Sequence, residues 1–205
     1  MTIKNFGARV ISVWEGLRPM TKKMLVGALA ASGVNTANPQ TQKFSYDVHA
    51  EWELSRLLSA LDEQAKDAEV KKDAEKTREI KQLAQTCAKV LQTQTASAEV
   101  FIQLATRAVQ RNDFDNLDRL ADILAQRFSA GEVAEIVRQT ELAQIRAIAY
   151  ETLALMPIAN LLPLLDDTLY FEIARNAVEQ QAFEFDNEDA QQILEQVEFD
   201  ESNGD

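Results

Sequence analysis

Histidine and cysteine, which build most metal sites and many nucleophilic sites, occur once each in this chain of 205 residues, as His49 and Cys87. One imidazole and one thiol cannot form a Cys/His zinc site, an H-E-x-x-H protease helix, or a di-iron bundle with two Glu-x-x-His pairs. A Ser–His or Cys–His nucleophile would depend on His49, and the surrounding "YDVHAEW" contains no nucleophile elbow. We therefore predict no metal and no cofactor, and we expect His49 to face solvent or to start a helix.

The sequence also gives no clear sign of a reactive thiol, a phosphate-binding loop or a carboxylate acid–base site. The apolar neighbours of Cys87, among them Leu83 and Leu91, predict a buried thiol on a helix face. The two glycines of "GALAASG" are six residues apart with no following Lys-Ser or Lys-Thr, so no phosphate loop is predicted. The 33 carboxylates leave open an acid–base site built from carboxylates alone, but their number does not locate one. No catalytic, cofactor-binding or metal-ligating residue is predicted, and the binding residues are unknown at this level.

Charge is distributed unevenly along the chain, whose formal net charge is −12. Residues 1–45 contain six Lys and Arg against Glu15 alone, a net charge of +5, whereas residues 176–205 contain ten carboxylates and no Lys or Arg. Binding to duplex nucleic acid requires a broad basic surface, so no nucleic-acid partner is expected. The basic N-terminal segment could meet an anionic surface or this protein's own acidic end.

The distribution of glycine and proline predicts an all-α fold. Residues 40–130 contain neither, and they are rich in residues that favour helices. No segment combines period-two alternation with β-branched residues and flanking turns. Residues 62–81 contain 13 charged residues, which we interpret as a solvated helix end, a turn and the next helix start rather than a projecting charged arm. Two buried helix faces are expected around them: Leu54, Leu57, Leu58 and Leu61, and then Ile80, Leu83, Ala84, Cys87 and Leu91.

Composition shifts divide the chain into five segments. They are a basic apolar helical segment (1–34), a polar linker (35–45), a charged helical hairpin (46–95), a repeat-like region (96–185), and a short last helix with an acidic tail (186–205). In the repeat-like region the predicted helices span 97–111, 114–128, 131–140, 142–156, 158–166 and 168–183. The connections between them are only a few residues long, so consecutive helices are expected to be antiparallel neighbours.

A weak internal repeat connects residues 132–153 with residues 160–181 at an offset of 28 residues. The matching positions are Val133 with Leu161, Ile136 with Leu164, Val137 with Leu165, Thr140 with Thr168, Ile145 with Ile173, Ala149 with Ala177, and Glu151 with Glu179. The same offset of 28 residues also relates an earlier segment to residues 132–153: Leu117 matches Ile145, Leu120 matches Ile148 and Ala121 matches Ala149. Each unit would be a short helix, a tight turn and a longer helix with a small residue where the helices pack.

The segment "MPIANLLPLLDDTLYFEIARNAV" resembles HEAT-like helical repeats, with a proline opening the first helix, "LLPLLDD" before the turn and "IARNA" in the second helix. The likeness covers about residues 98–183. It departs from the family in its shorter period and in the missing proline and Asp pair of the unit at 131–153. The predicted fold is therefore stacked antiparallel helical hairpins, either a short HEAT-like α-solenoid or an irregular helical bundle.

The resemblance implies a scaffold that leaves a curved surface for a partner. Three arginines would then either contact that partner or pair with acidic residues of the same chain, and we favour the internal pairing. The arginines are Arg138, Arg146 and Arg175, and their candidate acidic partners are Asp166, Asp167 and Glu179.

The segment "RPMTKKMLVGALAASG" (18–33) has three interpretations. Pro19 and Gly33 delimit one helix, and its apolar residues Met24, Leu25, Ala28 and Leu29 could pack into the core, which we favour. Residues 20–37 could instead act as an export signal, although the small-residue cleavage site is poor. Residues 8–32 could contact a membrane surface. A membrane span is excluded, because Met24 to Val34 is 11 residues and about 20 are needed.

These observations favour a non-enzymatic, cytoplasmic adaptor that binds another protein through a helical-repeat surface. The alternative from another class is a membrane-associated or exported helical protein addressed by residues 8–34. A weaker alternative is an enzyme that depends on carboxylates alone.

Overall fold

The computed structural model describes residues 3–32 and 46–203, so the predicted linker at 35–45 and the stop at Gly33 lie outside the described residues. Within these ranges the chain forms twelve α-helices and two short 3-10 turns, with no strand. The all-α prediction is confirmed. The chain divides into two compact units, residues 1–95 and residues 96–205. The division falls where the predicted segments 46–95 and 96–185 meet, while the finer five-part division stays a prediction.

The N-terminal unit is built around the pair α3 and α5, against which α1 and α2 pack. Its helices are α1 (Ala8–Gly16), α2 (Pro19–Ser32), α3 (Val48–Gln64), α4 (Ala68–Lys72) and α5 (Ala74–Gln94). Both predicted helix faces are buried, which confirms them: Leu54, Leu57, Leu58 and Leu61 on α3, and Ile80, Leu83, Ala84, Cys87 and Leu91 on α5.

The charged stretch at 62–81 is a capped connection and not a projecting arm. After α3 ends at Gln64, the short α4 packs on α5 and buries Val70. Asp67 accepts the Glu69 N–H at 2.7 Å and Asp73 accepts the Lys76 N–H at 3.0 Å. An N-cap carboxylate of this kind stabilises a helix by about 1 kcal/mol. The two caps therefore favour the starts of α4 and α5 at these positions over one continuous helix.

Helix α2 lies in the core of its own unit. It begins at Pro19 and ends at Ser32, and its buried side chains are Thr21, Met24 and Leu25. The favoured interpretation of this segment, a helix packed into the core, agrees with the burial of Met24 and Leu25, whereas Ala28 and Leu29, also predicted to pack there, are only half-buried. Among the described residues, no helix combines the length and the apolar composition that crossing a membrane requires.

The C-terminal unit consists of helical hairpins stacked in chain order. Its helices are α6 (Ala98–Gln110), α7 (Phe114–Arg127), α8 (Ala130–Gln139), α9 (Ala143–Ala154), α10 (Leu162–Leu165), α11 (Phe171–Glu184) and α12 (Glu188–Asn203). Within hairpins, α6 packs on α7, α8 on α9 and α10 on α11; between hairpins, α6 packs on α8, α7 on α9 and α9 on α11. Four of the position pairs matched at the offset of 28 are buried in both members: Leu117 with Ile145, Val133 with Leu161, Ile136 with Leu164, and Ala149 with Ala177.

Two predicted helix spans differ from the structure. The helix expected at 158–166 is split into a 3-10 turn (Ile158–Asn160) and the four-residue α10, since Pro163 lacks an N–H and fits only the first turn of a helix. The prediction that the last helix is short is wrong, because α12 continues to Asn203. Asn187 accepts the N–H groups of Asp189 and Ala190 at its start, and no Gly or Pro follows before Gly204.

Candidate binding surface

An open groove of about 590 Å³ runs along the C-terminal unit between α9 and α11. One wall contains Tyr150 of α9, and the other belongs to α11. The lining residues from α11 are Asn176, Glu179, Gln180, Phe183 and Glu184. Residues spaced by three and four positions share one face of a helix, so this wall is a single continuous stripe. The opposite stripe of α11, which includes Ala174, Ala177 and Val178, is buried against the rest of the unit.

The aromatic content of the groove is its most distinctive property. The Phe183 residue is 75% exposed although it carries a large apolar side chain, and Tyr150 faces the same groove. Leu155, just beyond the end of α9, and Phe185, just beyond α11, are exposed as well. Phe183 and Tyr150 line the same open groove, whereas Leu155 and Phe185 are not among its lining residues. Apolar side chains grouped on one surface mark a contact site more often than single exposed ones do.

The charged side chains of the groove are acidic. Glu179 accepts from Arg175 Nε at 3.1 Å, and Glu184 accepts from Gln180 Nε2 at 2.9 Å. An exposed pair between residues four apart contributes only about 0.3–0.5 kcal/mol, so it is a weak competitor for an incoming cation. Residues 176–205 contain no Lys or Arg, so the groove borders the most acidic part of the sequence.

The three predicted arginines all have partners within the protein. Arg138 pairs with Glu135 at 2.5 Å, Arg146 donates to the backbone carbonyl of Thr140 at 2.5 Å, and Arg175 pairs with Glu179. Pairing with a predicted acidic partner is found for Arg175 alone, with Glu179, whereas Arg146 bonds a backbone carbonyl and not a carboxylate. For Arg138 the partner is instead a carboxylate one helical turn away, which sequence proximity alone favours.

Glu135 joins two consecutive hairpins of the C-terminal unit. Its carboxylate accepts from Arg138, from Gln139, and from the hydroxyl of Tyr170 at 2.9 Å, just before α11 begins. The Arg138 guanidinium, followed by the other two donors, lowers the pKa of Glu135 to about 2, from an ordinary value of 4.5. Donation to the carboxylate, with burial, raises the pKa of Tyr170. The arrangement holds a charged carboxylate and a neutral phenol together, which suits a structural contact.

Replacing Tyr170 with phenylalanine is expected to raise the pKa of Glu135 toward its ordinary value and to cost about 1 kcal/mol of stability. Because the folded-state pKa lies below the ordinary value, the contribution of Glu135 is present above pH 4.5 and is lost as the pH falls toward 2. The loss on acidification should therefore be smaller in Tyr170→Phe. Carboxyl titration by NMR and denaturation at several pH values measure both effects. An unchanged Glu135 pKa would contradict the prediction.

The N-terminal unit contains a buried carboxylate at the point where α1 passes into α2. The Glu53 residue is only 8% exposed, and its carboxylate accepts from the Arg18 N–H at 3.1 Å, from Arg18 Nε, and from the Thr21 hydroxyl. The Arg18 guanidinium also bonds Asp47 at 2.6 and 3.1 Å, and Asp47 caps α3 through the Ala50 N–H. Arg18 and the Ala50 N–H hold the pKa of Asp47 well below its usual range. These contacts lock α2 onto α3.

The single histidine and the single cysteine both belong to the N-terminal unit. His49 is exposed in the first turn of α3, as predicted, and Cys87 is fully buried on α5, as predicted. Over residues 3–32 and 46–203, no group of three or more His, Cys, Asp or Glu side chains is arranged to hold a metal ion.

Comparison of the chain with protein-family models, with curated proteins and with solved structures finds no match. The likeness to HEAT-like repeats therefore remains a resemblance in sequence pattern. The stacked hairpins are described from the contacts between the helices alone. The adaptor role, the protein partner and the cytoplasmic location stay predictions.

Proposed function

We propose that the protein is a non-enzymatic adaptor whose C-terminal unit binds a basic amphipathic segment of another protein in the groove between α9 and α11. The observation that carries this proposal is the exposure of Phe183 inside a concave surface that also contains Tyr150. Full burial of a phenylalanine side chain is worth about 1.5–3 kcal/mol, and most of that is still available here.

The negative charge of the groove favours a partner segment that carries Lys or Arg. Glu179 and Glu184 line it, and the flanking sequence offers no cation beyond Arg175 for them. A partner helix with apolar residues on one face and Lys or Arg at its edges satisfies both the aromatic side chains and the carboxylates. Such a segment recognises the groove by apolar contact and by charge together.

A labelled peptide of about 18 residues, long enough to form a helix, with leucines on one face and lysines on the other, tests the proposal. Fluorescence anisotropy is expected to show binding that weakens at least about tenfold in Phe183→Ala, a change of about 1.4 kcal/mol. Binding by Glu179→Gln/Glu184→Gln should be weaker and less sensitive to salt. Both variants alter exposed or half-exposed side chains, so the fold should persist.

Two controls separate this groove from general attraction to an acidic protein. Phe114→Ala removes a similarly exposed phenylalanine from α7, outside the groove, and should leave binding unchanged. A peptide with glutamates in place of the lysines should not bind. Equal loss of binding in Phe114→Ala and Phe183→Ala, or binding of the glutamate peptide, would reject the groove as the site.

The membrane-associated alternative rests on a different observation. On α2, Met20 and Val26 are exposed and Lys23 lies between them. Met24 and Leu25 lie in the core and cannot contribute to membrane contact, so this alternative ranks second. Flotation of the intact protein with anionic vesicles at low salt, abolished by Lys22→Glu/Lys23→Glu, would favour it over the adaptor.

A further inference from the structure

A second, smaller cavity of about 100 Å³ lies in the N-terminal unit, between α1 and α3. Its walls include Val13, Gly16 and Leu17 of α1 and the adjoining turn, together with Trp52, Glu53 and Arg56 of α3. An apolar cavity of about 150 Å³ is large enough to hold benzene. A cavity of about 100 Å³ therefore matches a branched aliphatic side chain of valine or leucine size.

Gly16 lies in the wall of this cavity and is exposed. A Cβ atom built on Gly16 meets nothing within 4 Å, so a side chain at this position would extend into open space. Gly16 is the last residue of α1 and has a backbone conformation that other residues adopt freely, so a larger residue is compatible with the helix.

The rim of the cavity contains residue types that are common at protein interfaces. The Trp52 residue is 57% exposed, and the Arg56 guanidinium lies over its ring, 4.5 Å from the centroid. Val48, one turn earlier on α3, is exposed as well. Tryptophan and arginine are the residue types most often found to dominate binding energy at protein interfaces.

The charge at the opening is that of Arg56. The other ionisable group in the wall, Glu53, is buried and already accepts hydrogen bonds from Arg18 and Thr21, and it shares Arg18 with Asp47. An incoming carboxylate therefore meets an available guanidinium held in place by the Trp52 ring. Arginine binds carboxylates through paired hydrogen bonds, which fixes the orientation of the bound group.

We propose that this cavity is a docking site for a protein segment that inserts one aliphatic side chain over Gly16 and places an adjacent carboxylate against Arg56. The site belongs to the N-terminal unit and uses acidic recognition, whereas the groove of the C-terminal unit recognises cations. The two sites together would make the protein a connector of two segments with opposite charge.

N-acetyl-leucine is a minimal probe, because it carries one isobutyl group and one carboxylate. At about 0.3 kcal/mol per heavy atom, its dissociation constant is expected in the millimolar range. The indole N–H signal of Trp52, assigned with Trp14→Phe, should shift in a saturable manner. N-acetyl-leucinamide, which lacks the carboxylate, should bind at least about threefold more weakly, and Arg56→Gln should remove that difference.

Gly16→Leu places an isobutyl group in the wall of the cavity and is expected to abolish the saturable shift. The thermal stability of this variant should be equal to that of the unaltered protein or higher. Gly131→Ala, in helix α8, and Phe114→Ala, at the start of α7, are controls that should bind the probe as the unaltered protein does. The proposal is overturned by the absence of a saturable shift, by unchanged binding in Gly16→Leu, or by equal binding of the acid and the amide. Should Gly16→Leu fail to fold, the Arg56→Gln comparison still decides.

Discussion

Replacing Phe101 with alanine is expected to destabilise the C-terminal unit by about 3–5 kcal/mol. Phe101 lies on α6 and is fully buried, and its ring meets the ring of Phe128 edge to face, with 5.6 Å between centroids and 71° between planes. Removing the ring loses both its burial and this contact, and leaves a cavity that the surrounding helices fill only in part. The total stability of a domain is commonly 5–15 kcal/mol, so the variant should be close to unfolding.

Native-state hydrogen exchange is the suitable measurement, because it reports on the amides of α6 and α8 separately from those of the N-terminal unit. Phe114→Ala is the matched control, since this phenylalanine lies at the start of α7 and is 59% exposed. Its cost should remain within about 0.5 kcal/mol. A loss below about 1 kcal/mol for Phe101→Ala would show that the ring is not part of a packed core.

The buried helix faces could be predicted from the sequence because they depend on local spacing. Leu54, Leu57, Leu58 and Leu61 recur with the period of a helix, and such a stripe is stable only when another element covers it. The start of α2 at Pro19 is local in the same way, since proline fits the first turn and disrupts later ones. Each of these features is decided by residues within a few positions of one another.

The candidate groove could not be predicted, because it depends on how two helices approach each other. Tyr150 and Phe183 are 33 positions apart, and no spacing rule brings them to the same surface. The same holds for Tyr170 and Glu135, whose hydrogen bond joins residues 35 positions apart. One signal was present: Ala174, Ala177 and Val178 mark the buried stripe of α11, and Phe183 falls outside it.

Ion pairs illustrate the same division between local and distant information. The sequence offers Asp166, Asp167 and Glu179 as acidic partners for the three arginines. Arg175 does pair with Glu179 four residues away, whereas Arg138 pairs with Glu135 three residues away. In a helix these spacings bring side chains together without any tertiary contact, so the nearest opposite charge on the same face is the better expectation.

Replacing Glu53 with alanine is expected to cost the N-terminal unit about 2–4 kcal/mol, because it leaves several polar groups without their acceptor. The Thr21 hydroxyl is buried, and Arg18 immediately precedes α2, at a helix start where backbone N–H groups lack partners of their own. Arg18 keeps its bond to Asp47, which limits the loss. Glu53→Gln retains one acceptor oxygen and nearly the same volume, and should cost about half as much.

A second ion pair on the same helix provides the control that separates burial from charge. Glu63 also lies on α3 and also pairs with an arginine, Arg9 of α1, but the two side chains are 53% and 64% exposed. An exposed pair contributes about 0–1 kcal/mol, so Glu63→Ala should scarcely change stability. Chemical denaturation, with exchange of the α3 amides as a local readout, compares the variants. Equal costs for Glu53→Ala and Glu63→Ala would mean that the attachment of α2 to α3 rests on apolar packing alone.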